Sequence, residues 1–150
     1  MGGWTAPDEA CPNYEDLIHN MYIGNGFLKK EFDIKPRIGW MMDSFGHSQA
    51  TAALFTDFGF EAFFLSRIHP DKRDELRKGK ALEFIWRPFT KHFGNQKQIL
   101  THVTWENYKW PEGFIVDQKE DLHQSFQPDK SLDNYNIESK CRKLHNDITE

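Results

Sequence analysis

Several common features are scarce or missing in this chain, and each absence narrows the reading. Only two of its 150 residues are cysteines, Cys11 and Cys141, and no CxxC pair occurs. That argues against a disulfide framework or a thiolate zinc site, and two buried thiols are the expectation. No basic stripe is present: the net charge is -4, with Lys and Arg scattered among Asp and Glu. Neither nucleic acid nor an anionic membrane surface is indicated as a partner. No apolar run approaches the roughly 20 residues that cross a bilayer. The opening "MGGWTAPDEACPNY" also lacks the charged-then-apolar plan of a signal peptide. No Asn-x-Ser/Thr sequon occurs, which fits a cytosolic chain but excludes nothing in a short stretch of a secretory one.

What the chain does have is enough apolar and aromatic residues, 38% and 15%, for one core. Tyr14 to Phe32 places Leu17, Ile18, Met21, Tyr22, Phe27 and Leu28 at helical spacing after the start signal Pro12–Asn13, with a weak point at Gly24 to Gly26. "PRIGWMM" reads as a buried strand. "HSQATAALFTDFGF" reads as a helix with Ala50, Ala53, Leu54 and Phe58 on one face and Gly59 as its stop. "EAFFLSR", residues 61 to 67, fits a second central strand, and a strand–helix–strand crossover implies parallel pairing. "PDKRDELRKGK" is a charged helix or turn, "ALEFIWRPF" a third strand, and "KQILTHVTW" a fourth after the turn signal "HFGNQ". The alternation predicts an α/β chain with a layered parallel sheet. Glu112 to Ser131 reads as a long loop and "YNIESKCRKLHNDITE" as an amphipathic helix. That helix has nothing after it to pack on, and the chain opens abruptly on "MGGW", so a fragment of a larger domain is the expectation.

In open α/β folds ligands bind beyond the carboxyl ends of parallel strands, and Asp43 directly follows "RIGWMM". By position alone, Asp43 or Ser44 reads first as the cap of the next helix. Arg67 ends the following strand, so neighbouring strands would bring its guanidinium to Asp43. Read alone, Arg67 is an ordinary ion-pair partner. His47, Asp43 and His69 supply imidazole and carboxylate, but without an HxH or HExxH pairing a capping or hydrogen-bonding histidine is the plainer reading. Asp8, Glu9, Trp4, Trp105, Tyr108 and Trp110 give the carboxylate and aromatic mixture of sugar sites, though tryptophans at strand ends also serve as core.

Three ordered blocks carry more weight than these singles. "GGWTAPDEACPNY", "GWMMDSFGHSQATAALFTDFGFEAFFLSR" and "LEFIWRPF" resemble consecutive blocks of the glycoside hydrolase family 38 α-mannosidases, the lysosomal type in particular, over roughly residues 2 to 117. The resemblance implies a barrel-like, parallel-sheet (β/α) catalytic domain of the glycoside hydrolase/deacetylase type, of which residues 1–150 are part. It implies a retaining, zinc-dependent enzyme acting on mannose-containing oligosaccharides or glycoprotein glycans, in a lysosome, vacuole or secretory compartment. Asp43 matches the family's nucleophile and one of its zinc ligands. Arg67 matches the arginine beside that nucleophile, Phe45 and His47 residues of its loop, and Tyr108, loosely, an aromatic of the substrate pocket. The family usually has Pro where Ser44 stands and often His-Ile where Met41 and Met42 stand, so a looser loop is expected here. The upstream His-x-Asp zinc pair, the acid/base aspartate and the last zinc histidine find no match, so the 150 residues alone should be inactive. The alternatives are a non-catalytic or glycan-binding remnant and, less well supported, a metal-dependent carbohydrate deacetylase.

Overall fold

The computed structural model describes residues 2–108 and 126–149, in two compact units divided after Tyr108. In the first unit, the segment before Asn13 leads into α1 (Tyr14–Phe32), followed by β1 (Ile38–Met41), α2 (Gln49–Asp57), β2 (Ala62–Leu65), α3 (Pro70–Lys78), β3 (Glu83–Trp86), the single-turn α4 (Thr90–Phe93) and β4 (Ile99–Val103). Every strand and long helix expected from the sequence in this unit is present; α4 falls where only a turn was expected.

The helix start at Asn13 has a physical basis. Its N–H donates to the Asp16 carboxylate at 3.3 Å. Glu15 and Asp16 face the positive end of the helix dipole, and Lys29 and Lys30 the negative end. Gly24 does not interrupt α1. A Cβ there would lie 2.2 Å from the Gly2 carbonyl oxygen and 2.4 Å from Trp4 N, so the absent side chain lets the N-terminal segment cross the helix. Asn20 holds that crossing, accepting from Thr5 N at 2.8 Å and donating to Thr5 O at 3.0 Å.

The four strands form one sheet in the order β1-β2-β4-β3. β1 and β2 are parallel, in register Ile38↔Ala62 to Met41↔Leu65, and β2 and β4 are parallel, Ala62↔Leu100 to Leu65↔Val103. β3 departs from the all-parallel expectation and runs antiparallel to β4, Glu83↔His102 to Trp86↔Ile99. Residues 87–98 between them contain only the one turn of α4, too little for the packed crossover helix that parallel neighbours usually need. The described strands form an open sheet with β1 and β3 at its edges; a closed barrel is not formed by the described residues.

One face carries the core: Met41 of β1, Phe63 and Leu65 of β2, Ile99 and Val103 of β4, covered by Met21 of α1 and Phe55 of α2, with Leu76 of α3 packed alongside. Phe55 meets Phe60 and Phe63 edge-on at 5.0 Å each. Gly39 of β1 makes this possible, because a Cβ there would lie 2.6 Å from the Phe55 ring. Of the face expected for α2, Ala53 is buried while Ala50, Leu54 and Phe58 are only half-buried, and Ala52 and Phe55 supply the rest of its apolar core face.

The opposite face of the sheet is apolar and open. Ile38, Trp40, Ile85 and Leu100 are exposed there, and Trp40 stacks on Phe64 at 5.8 Å. The expectation of two buried thiols fails, since Cys11 and Cys141 are both exposed. Cys11 lies in the N-terminal segment, where its thiol meets Asp8 at 3.6 Å. Cys141 lies on α5 (Ile137–Thr149), the expected C-terminal helix of the second unit, which has no buried residue. Residues 112–125 of the expected long loop lie outside the described residues, as does Trp110.

Candidate active site

The site is built at the carboxyl ends of β1 and β2. Met41 is the last residue of β1, and Asp43 follows after one buried residue, Met42. Leu65 ends β2 and Ser66 and Arg67 follow. Because Met41 and Leu65 are register partners, Asp43 and Arg67 emerge side by side. Arg67 Nη2 lies 2.6 Å from Asp43 Oδ1 and also donates to the Tyr108 hydroxyl at 3.1 Å. The Tyr108 hydroxyl in turn donates to Asp43 Oδ1. Carboxylate, guanidinium and phenol thus form a closed knot, with the rings of Phe45 and Tyr108 at 5.6 and 5.8 Å from the guanidinium carbon. The hydrogen bond to Tyr108, ahead of the Asp43 charge, raises the Arg67 pKa above that of an ordinary arginine. A fixed positive charge therefore stands beside an exposed carboxylate.

Asp43 is free for this role because another residue caps α2. Ser48 is the N-cap, its hydroxyl accepting from Ala50 N at 3.0 Å. The reading of Asp43 or Ser44 as the cap is thereby corrected: four further residues separate Asp43 from the cap, and Ser44 points elsewhere. The Ser44 hydroxyl donates to the Pro7 carbonyl at 3.0 Å and is buried. A proline at position 44 could not make that bond, so a different tether holds the loop here.

Two open clefts flank the knot. One, of about 320 Å³, runs past Asp43 between Asp8, Trp40, Met42 and Phe45. The other, of about 620 Å³, lies beside Arg67, with Phe45, His47, His69 and Asn107 on its walls. Phe45 is common to both and exposes an aromatic ring between a carboxylate and a guanidinium, a surface on which the apolar face of a sugar ring can stack while its hydroxyls find charged partners.

The structure brings four of the five sequence-named site residues, Asp43, Arg67, Tyr108 and Phe45, into one contact set. His47 turns inward: it sits edge-on to Phe63 at 6.0 Å, and its Nε2 bonds the Arg67 backbone carbonyl at 3.1 Å. Of the other aromatic candidates, Trp4 packs on Phe27 and Trp105 lies 4.4 Å from the Arg77 guanidinium carbon. Both remain exposed. Sequence reasoning missed Arg73, a buried arginine on α3 whose guanidinium donates to the Ser66 carbonyl, one residue before Arg67. Burial lowers the Arg73 pKa, with Arg77 next to it adding to the effect. No spacing rule separates this arginine from the other charges of "PDKRDELRK".

Among the described residues no three His, Cys, Asp or Glu side chains converge. The described residues therefore offer a zinc ion the single carboxylate of Asp43, and by themselves they do not fit the ion.

Comparison with known proteins gives the family. Residues 1–150 match the family described as glycosyl hydrolases family 38 N-terminal domain. An alpha-mannosidase of Arabidopsis thaliana is 39% identical over 140 residues, covering 93% of this chain and 14% of that protein. The lysosomal alpha-mannosidase of Dictyostelium discoideum is 34% identical over 143 residues, covering 95% of this chain and 14% of that protein. The lysosomal alpha-mannosidase of Bos taurus is 36% identical over 118 residues, covering 77% of this chain and 12% of that protein. The chain belongs to glycosyl hydrolase family 38. It spans 14% or less of the length of these curated relatives.

Proposed function

We propose that the protein carrying this chain is a retaining α-mannosidase that releases terminal α-mannosyl residues from N-glycans or oligomannosides, with Asp43 as its nucleophile. The observation that carries this reading is the Asp43–Arg67–Tyr108 knot at the ends of two neighbouring parallel strands, in a chain whose relatives are alpha-mannosidases. A nucleophile must be ionised, aimed and accessible. Arg67 supplies the opposite charge that holds the Asp43 carboxylate in place, and Tyr108 supplies a hydroxyl donor to the same oxygen.

In the two-carboxylate scheme an Asp43 oxygen forms a bond to the anomeric carbon as the bond to the leaving oxygen breaks. The second carboxyl group, about 5 to 5.5 Å away in retaining enzymes, protonates that oxygen. We assign that acid to residues outside this chain, so the 150 residues alone are inactive. Zinc belongs to the same reading, with Asp43 as one ligand and the others outside this chain; what the ion would supply is a grip on sugar hydroxyls. A lysosomal or vacuolar location fits the relatives named lysosomal.

The test is hydrolysis of p-nitrophenyl α-mannoside by the full-length protein, with and without zinc, beside Asp43→Asn. Zinc-dependent hydrolysis abolished by the substitution supports the reading. Full activity in the Asn variant, or zinc-independent hydrolysis, contradicts it.

A further inference from the structure

The Asp43 knot is held from behind by a pair that the chemistry above does not use. Glu9 and His47 lie 3.8 Å apart, Oε1 to Nδ1, and their side chains are only 5% and 9% exposed. Both atoms are buried and have no hydrogen-bond partner among the described residues. Their other ends are engaged. Glu9 Oε2 accepts from the backbone N–H of Ser48. His47 Nε2 faces the Arg67 carbonyl oxygen at 3.1 Å, and since a carbonyl only accepts, Nε2 carries a proton. With Nε2 as the donor, a singly protonated ring would turn the bare lone pair of Nδ1 toward a carboxylate oxygen. Two buried acceptors facing each other without a proton are costly. One proton between them removes the cost after a small side-chain movement. Glu9 is the one carboxylate among the described residues paired with this ring. The cationic groups near it, Arg67, His69 and Lys72, line the cavities on its two sides.

We propose that Glu9 and His47 share a proton and act as a positioning pair for Asp43. The location explains why such a pair is useful. Asp43 and Ser48 bound the loop that carries the carboxylate, and Glu9 clamps its Ser48 end. His47, within that loop, clamps the backbone of Arg67, whose guanidinium grips Asp43. The pair therefore ties together the N-terminal segment, the Asp43 loop and the end of β2, so that carboxylate and guanidinium are set by one rigid link. It rests on the mannosidase reading only for its kinetic consequence.

The experiment uses the full-length protein with Glu9→Ala, Glu9→Gln and His47→Ala. Glutamine can still accept from Ser48 N–H while its amide donates to Nδ1 of a neutral ring, so Glu9→Gln restores the link without the shared proton. The expected result is a roughly 10- to 100-fold fall in kcat for Glu9→Ala and His47→Ala with KM changed less than about threefold, and near-complete rescue in Glu9→Gln. Hydrogen exchange of peptides spanning residues 43–49, read without substrate, should rise in both alanine variants and not in Glu9→Gln. Where Glu9→Ala does not fold, Glu9→Asp replaces it; one methylene shorter, it cannot reach both partners and must show the same losses. Wild-type kcat in the alanine variants, an effect on KM alone, equal losses in Glu9→Gln and Glu9→Ala, or an insoluble Glu9→Gln overturns the proposal. If the wild-type protein hydrolyses no mannoside, the functional reading fails instead, and loop exchange alone decides the positioning pair.

Discussion

Arg67 Nη2 sits 2.6 Å from Asp43 Oδ1, across the carboxyl ends of two parallel strands that pair residue for residue. The contact joins residues from the ends of two separate strands, and the register of β1 on β2 brings them side by side. Tyr108 closes the knot from the segment after β4.

Tyr108→Phe separates two functions of that side chain, keeping the ring 5.8 Å from the guanidinium carbon and removing the hydroxyl that bonds Asp43. In the full-length protein the expected outcome is about a tenfold lower kcat, and Arg67→Ala, which removes charge and orientation together, should cost about a hundredfold. Steady-state kinetics on an aryl mannoside decide it; equal, negligible effects would show the knot to be incidental.

Ser48→Ala removes the cap of α2 and should lower stability by about 0.5–2 kcal/mol. Asp43→Asn should leave stability nearly unchanged while removing activity. Thermal melts of both variants check the assignment; a larger loss of stability in Asp43→Asn would return Asp43 to the capping role.

Gly39→Ala places a methyl within 2.6 Å of the Phe55 ring. Overpacking at this contact should cost about 1–3 kcal/mol, read as a lower melting temperature. Phe55→Leu in the same background should recover part of the loss, since the crowding comes from the ring.

Cys11 is exposed, and the Asp8 carboxylate, first through its charge and then through its hydrogen bond, raises the thiol pKa above the usual cysteine value. The thiolate is the reactive form, so at mildly alkaline pH alkylation of Cys11 should be slower than for a free cysteine, and Asp8→Asn should speed it several-fold. Mass spectrometry of the Cys11 peptide measures this. No acceleration would remove Asp8 as the cause.

Local pattern carried much of the fold. Helical spacing after the Pro12–Asn13 start signal predicts α1, and apolar runs between turn signals predict all four strands. What pattern could not carry was long-range. The antiparallel β3 depends on how the 87–98 connection folds back, and hydrophobicity alone does not specify that direction. The exposed face with Ile38, Trp40 and Leu100 reads in sequence like buried strand, because apolar content does not say what covers it.

The site divides along the same line. Asp43 and Arg67 were predicted as neighbours because both end strands of one crossover unit, and the structure places them in contact. The cap is not legible from strand-end position, because four loop residues separate Asp43 from Ser48. The inward turn of His47 was not legible, since its partners are Glu9 from before α1 and the backbone carbonyl of Arg67.

As a nucleophile Asp43 must form a covalent bond to the sugar, and that intermediate can be trapped. The full-length protein, incubated with a fluorinated mannosyl fluoride that forms the glycosyl-enzyme quickly and releases it slowly, is digested and its peptides weighed. One added fluoromannosyl group is expected on the peptide containing Asp43, and none in Asp43→Asn. A label on any other carboxylate, with Asp43 unmodified, would contradict it.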